Sequence, residues 1–484
     1  MSRYLFAVSL LLFACGGSSG GSSGGDVGNF PDSLVTPDAS KTPLVYGDPV
    51  PVDWQHSYGY FDSNAASRDK EAIVGLASAP DGTLYGLSDR RYGSDSDGDD
   101  LILLAVDPTG ALSDKKLLRF DSGATVFGFA RRPDGALLLA LDFSGLTIIA
   151  TNAAGEVAWS KPYDTEPYAF GGLGLHQMAF DDAGNIYFCG AYSPSTVGDP
   201  ERGYVAKLDP SGEPLWMRSW AHDSFFERTR LAVSSEAVYV TDRLRGSDFA
   251  DQIVVAFSTN GELVGQKYLT YTGFDGPRAA VDSSAVIADG AGATLIGTRA
   301  TAIDGDHNLY VYRMDFDDKL GLVAHTGSKL PTESGIFAAA LRLVPGEGGA
   351  IRAVTQLGLK GSYAVFDFTK ANPVAAAYDI IREDATSPFL EDDDFPILIA
   401  PAPAGALYIA ATSDVAGSIT LRPRTSVALD LPLNLTDSKL TIINDTLVVE
   451  GLGDTFTVAA EEKGVLDDPQ VDDEDAILLK ATLP

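Results

Sequence analysis

The chain has 484 residues, with 35 Lys and Arg against 67 Asp and Glu, for a formal net charge of −32. At 45% apolar and 21% charged residues it affords a sizeable core, so disorder throughout is excluded, and the acidic balance excludes nucleic acid as a partner. Fifty Gly and 26 Pro beside 19 Tyr and 23 Phe favour strands and tight turns over helices.

Taken in chain order, residues 1–14 open with Arg3 and continue as an apolar run from Tyr4 to Ala14. That run is too short to span a bilayer and has the layout of a secretory signal peptide. The segment Leu12-Phe13-Ala14-Cys15 resembles the bacterial lipobox, with Phe13 standing where a small or β-branched residue is usual. The resemblance implies a lipidated Cys15 and attachment to a membrane through that lipid. Residues 16–25 read GGSSGGSSGG, a flexible coil, and the polar, Pro-dotted stretch after it has no periodicity, so residues 15–50 read as lipidated Cys, tether and disordered linker. Gly16 occupies the position where Asp often signals inner-membrane retention. The expected address is therefore the outer membrane of a Gram-negative bacterium, periplasmic or surface-exposed. Cys189, the other cysteine, lies in the apolar run NIYFCGA and is expected to be a buried, inert thiol.

Residues 51–484 carry a repeat. Its first signature is a turn followed by a strand, as in PDGTLYGLSD from 80, PDGALLLALD from 133, DAGNIYFCGA from 182 and PAGALYIAAT from 403. Eight such units, the last being INDTLVVEGL from 443, recur at about 50 residues. A second signature follows in most units, as in LLAVDPTGAL from 103 and VAKLDPSGEP from 205, where Asp opens a turn and Gly closes it. Each unit thus holds two hairpins, or four strands, and cannot bury both faces alone. Repetition around an axis gives an all-β fold, a single β-propeller of eight four-stranded blades, with seven as the alternative. AILLKATLP from 476 ends the last unit one strand short, and PVDWQHSYG from 51 matches the fourth-strand segments EVAWSKPY and EPLWMRSW. An N-terminal strand is therefore expected to close the ring, with Trp54, Trp159 and Trp216 as equivalent packing anchors.

Residues 182–220, DAGNIYFCGAYS to EPLWMRSW, resemble the SBBP-type bacterial β-propeller repeat. That resemblance implies a secreted or surface propeller, in a family usually drawn with seven blades, and supplies no catalytic residues.

Loops between second and third strands are irregular and acidic, and loops on a rigid scaffold are where function concentrates. GSDSDGDD from 93 places Asp95, Asp97, Asp99 and Asp100 together, a spacing of oxygen ligands suited to Ca²⁺. His176, His222 and Glu227 fall on the same face and form a candidate general acid–base group. Motifs for zinc hydrolysis, nucleotide binding and the serine nucleophile elbow do not occur in the sequence. The reading is a membrane-anchored envelope lipoprotein with a noncatalytic binding or scaffolding propeller for a protein, peptide or glycan. The alternative is a propeller hydrolase or lyase assisted by Ca²⁺.

Overall fold

The computed structural model describes residues 48–483, leaving aside 60–69, 92–98, 121–124, 133, 143–144, 167–172, 194–200, 222–224, 227–228, 246–249, 272–279, 290–291, 304–305, 332–337, 346–349, 358–361, 370–375, 383–397, 414–418, 425–426, 430–432, 438–439, 450–455, 459–464 and 467–474.

Interior strands set the pattern. Leu146–Thr151 and Ile186–Tyr192 are buried at every residue. A strand covered by neighbouring sheets on both faces reads as a continuous apolar run, not as an alternation. Such strands are the middle members of seven antiparallel sheets. Blade 1 runs outward from the axis as Lys70–Ser78, Leu84–Arg91, Asp99–Val106 and Leu112–Phe120. Blade 3 runs as Gly174–Phe180, Ile186–Tyr192, Arg202–Leu208 and Pro214–Ala221, and blades 2, 4, 5 and 6 are built likewise from strands within 125–166, 225–271, 280–331 and 338–382. The inner strands of successive blades pack against one another around the axis, from blade 1 through blade 7 and back to blade 1. The protein is a single seven-bladed β-propeller.

The last blade closes as the sequence suggests. Its strands are Leu398–Pro401, Leu407–Ser413, Asp475–Ala481 and, outermost of the four, the N-terminal Val52–Gly59. Val50 is already buried, and its N–H donates to the carbonyl of Leu421 at 2.8 Å, so the ordered ring begins inside the stretch read as linker.

The eighth unit is not a blade. Between the second and third strands of blade 7 the chain leaves the blade and lays a fifth strand on the outer edge of every sheet. Ile419–Arg424 pairs with blade 6, Val427–Leu429 with blade 5, Leu433–Asp437 with blade 4 and Thr441–Ile443 with blade 3. Thr446–Val449 then pairs with blade 2, Phe456–Val458 with blade 1 and Val465–Leu466 with blade 7 itself. Residues 443–449, within the unit expected to open blade 8, are therefore part of a circumferential belt.

Sheet twist explains both the path and its direction. Each strand is rotated by about 20–25° from its neighbour, so the fourth and fifth strands lie roughly perpendicular to the inner one and run along the circumference. Outer strands of successive blades then follow one another around the ring. A segment pairing antiparallel with them must travel against blade order, as the belt does.

Turns lock neighbouring blades together. In the turn of blade 1 the Asp107 carboxylate accepts from the N–H groups of Thr109 and Ala111 and from the Thr109 hydroxyl, while Gly110 adopts φ 91°. The Thr109 hydroxyl, then the backbone N–H groups, hold that carboxylate below its ordinary range. Trp54 of blade 7 packs on Gly110, Trp159 of blade 2 on Gly212 of blade 3, and Trp216 of blade 3 on Gly261 of blade 4. All three tryptophans sit beside an equivalent register shift, opposite Lys480, Ala150 and Lys207, and serve as anchors between blades. Gly110→Ala should cost about 1–2 kcal/mol, because a side chain is strained at that φ and its Cβ would come within 3.1 Å of Trp54. Gly86→Ala, in ordinary extended backbone with its nearest contacts at 3.7 Å, should cost less. Urea denaturation of the two variants checks the difference, and equal midpoints would count against the turn as an anchor.

Candidate functional site

An inner strand is the edge of its blade, so alternate backbone groups face the axis without a ladder partner. Blade 4 shows how the fold deals with this. Its inner strand is interrupted, as Phe225–Phe226 and Arg230–Val233. The N–H of Thr229 donates to His176 Nδ1 at 3.0 Å, and the N–H of Leu231 donates to Gln177 Oε1 at 3.0 Å. His176 is the bulged residue of the blade 3 inner strand, where the register shifts between Leu175 and Gln177. The bulge turns two successive side chains toward the neighbouring blade.

Polar groups continue inward from this seam. The Thr229 hydroxyl lies 3.2 Å from the carbonyl of Gly190 and 3.3 Å from Oδ2 of Asp242, and both Thr229 and Asp242 are buried. Arg230 donates from Nη1 to the carbonyl of Thr229 at 3.0 Å. Burial, and then the charge of Arg342 from blade 6, push the Arg230 guanidinium down to about 10, so it stays a cation at neutral pH. Cys189 is fully buried in the same seam. Its thiol is pushed up by burial, opposed by Arg230, which makes it an inert core residue.

Of the candidate acid–base group, the structure places His176 on this seam, while His222 and Glu227 lie outside the described residues. The Nδ1 lone pair of His176 is taken by a backbone N–H, so the ring works here as a cross-blade acceptor with its proton on Nε2. Of the candidate calcium ligands, Asp95 and Asp97 lie outside the described residues. Asp99 and Asp100 are the first residues of the third strand of blade 1 and not part of a loop. Asp100 is buried, in register with Arg90 and Arg119. No group of three or more metal-ligating side chains occurs among the described residues. Cys15 also lies outside them, as do the acidic runs 391–394 and 467–474.

Arg230 and Arg342 carry no sequence motif and were not legible as a pair. Aligning the repeats on the turn between first and second strands would have found them, because both then fall in one column with Gln177.

No protein-family model matches the sequence, and no curated protein matches it. Among solved structures the chain is similar to a protein of unknown function from Dyadobacter fermentans, at 11% identity and a TM-score of 0.38, over 76% of this chain and 97% of that one. It is similar to the polysaccharide lyase Uly1 at 11% identity and a TM-score of 0.38, over 76% and 91% of the two chains. A third similarity is to a subtype N10 neuraminidase-like protein of A/little yellow-shouldered bat/Guatemala/060/2010, at 8% identity and a TM-score of 0.38, over 78% and 99%. Likenesses of this size carry no functional argument. The fold rests on the strand pairing itself.

Proposed function

We propose that this protein is a lipid-anchored outer-membrane lipoprotein of a Gram-negative envelope, whose propeller is a noncatalytic binding or scaffolding module for a protein, peptide or glycan. The observation that carries the reading is where the ring receives its N-terminal segment. Val50 is held against Leu421, which belongs to the outermost strand of blade 6, so the connection to the tether lies on the circumference and not at a mouth of the channel. A tether leaving there lets the channel and the irregular loops face a ligand while the lipid holds the protein to its membrane. The commitment of His176 Nδ1 to a structural hydrogen bond supports a binding role over a catalytic one, since a general base needs a free lone pair.

Cys15→Ser should move the protein from the membrane fraction to the soluble fraction, with its melting temperature unchanged. A variant that still sediments with membranes after carbonate washing would overturn the lipid anchor.

A further inference from the structure

One bulge recurs near the start of the fourth strand. The register there skips a single residue, which is Asp53 in blade 7, Ala158 in blade 2, Leu215 in blade 3, Val264 in blade 4 and Val323 in blade 5. Blades repeat by rotation about the axis, so these positions lie at one level around the ring. Leu215 is 53% exposed, Val264 41% and Val323 68%, and Leu263 beside Val264 is 45% exposed. Among the described residues these are the large apolar side chains that stand exposed, and they fall on three consecutive blades. The fold asks for no apolar group at the bulge, since Ala158 fills it in blade 2 and Asp53, paired with Lys480 at 2.8 Å, fills it in blade 7. Apolar residues scattered singly over a surface need no explanation, but a row at one structural position does.

We propose that this row is the edge on which the propeller rests against a lipid bilayer. The inference rests on the lipid-anchor reading and adds an orientation to it. The place where the preceding chain enters the ring supports the bilayer as occupant. Residues 1–47 lead to Asp48, just ahead of Val52, and Val52 begins its fourth strand as Pro214, Leu263 and Leu322 begin theirs. The tether thus joins the ring at the level of the row. It joins at blade 7, whereas the row spans blades 3 to 5, across the axis. A Gly/Ser coil fixes no direction, so the lipid alone would leave the propeller free to turn. A second contact across the ring holds it with one face to the membrane. Strand direction says which face, because the fourth strands begin at the short turns. The loops between second and third strands lie on the opposite face, away from the membrane and open to a ligand. Apolar side chains entering the headgroup boundary are the favourable term. A net charge of −32 opposes anionic headgroups, so the edge suits zwitterionic lipid.

The test uses the full-length lipidated protein in vesicles of zwitterionic phosphatidylcholine. Leu215→Cys, Val264→Cys and Val323→Cys each carry a polarity-sensitive fluorophore, and Ser193→Cys, exposed just beyond the second strand of blade 3, is the control on the opposite face. Cys189 is buried and takes no label. Emission from the three edge labels should shift to shorter wavelength, and a quencher attached to the lipid should quench them severalfold more than the control. Leu215→Ser combined with Val264→Ser should reduce quenching at Val323→Cys. Anionic lipid should weaken the contact and added salt should recover part of it. All these positions are exposed, so the variants keep their fold. Equal quenching at edge and control would overturn the proposal. A shift without lipid quenching, accompanied by dimers in sedimentation, would assign the row to a second copy of the chain and overturn it as well. Flotation of the vesicles reads the anchor separately, so protein that floats without edge quenching keeps its anchor and loses this orientation. Protein that does not float loses the anchor. The edge labels are then read on a Cys15→Ser background with vesicles added in solution, where quenching upholds the row and its absence overturns it.

Discussion

A chain ending at Glu474 should lose its cooperative unfolding transition and associate in solution. The missing strand, Asp475–Ala481, lies inside blade 7, paired on one side with Leu407–Ser413 and on the other with Val52–Gly59. Its removal exposes two long strand edges at once, and unpaired edges recruit other chains. Ile477, Leu478 and Leu479 are each no more than 2% exposed, and full burial of such a side chain contributes about 1.5–3 kcal/mol. Three of them together approach the ~5–15 kcal/mol by which a folded domain exceeds its unfolded state. The N-terminal strand and the final belt strand would also lose their attachment, since Val465–Leu466 pairs with Val52–Gly59. Light scattering and thermal denaturation provide the readout, and a peptide of residues 475–484 added in trans should restore part of the transition. A monomeric truncated chain with an unchanged melting curve would show that blade 7 closes without its third strand.

The hairpins of the blades were legible because their information is local. An Asp-opened turn such as Asp209 to Glu213 is stabilised within five residues, where the carboxylate accepts the N–H groups of Ser211 and Glu213. Turns opened in the same way by Asp107, Asn152 and Asp317 stand in blades 1, 2 and 5 and announce the strands on either side. Closure was legible for a related reason, since Trp54 stands in the same local setting as Trp159 and Trp216. The belt was not legible. Its strands are two to six residues long and pair with partners far away in the chain, so they have neither length nor periodicity to read. The passage from blade 3 to blade 2 imitates the repeat, because Asn444 and Asp445 form a connection between two short strands and thereby resemble a hairpin turn. The shorter interval before residue 443 was the available warning.

The candidate site divides along the same line. His176 and its neighbours were recognisable as polar residues entering an inner strand. Their roles, however, depend on Thr229 and Leu231, more than fifty residues away on the adjoining blade. Arg230 comes under the charge of Arg342 only when the ring closes, so no short window of sequence contains their relation.

Asp445→Ala should destabilise the protein by about 3–5 kcal/mol, the usual cost of removing one partner of a buried ion pair and leaving the other uncompensated. Asp445 lies on the belt between Ile443 and Thr446, and its side chain enters blade 3. One oxygen accepts from the Tyr192 hydroxyl at 2.6 Å and from the Ser219 hydroxyl, and the other stands 3.5 Å from Nη1 of Arg202. The carboxylate is 6% exposed and the guanidinium 14%, so water does little to screen the pair. Leu440 and Leu447 on either side are buried in the cores of blades 3 and 2, which fixes the belt so that Asp445 can reach inward. Asp445→Asn keeps the shape and one acceptor but loses the charge, and should fall between wild type and the alanine variant. Combining Asp445→Ala with Arg202→Met should cost less than the sum of the single changes, because the second substitution removes the charge that the first left orphaned. Chemical denaturation of the four proteins measures this coupling, and limited proteolysis of Asp445→Ala should cut first within residues 425–466. A loss below about 0.5 kcal/mol, the range of an ordinary surface substitution, would mean that the belt is held by its backbone pairing and that this carboxylate does not lock it.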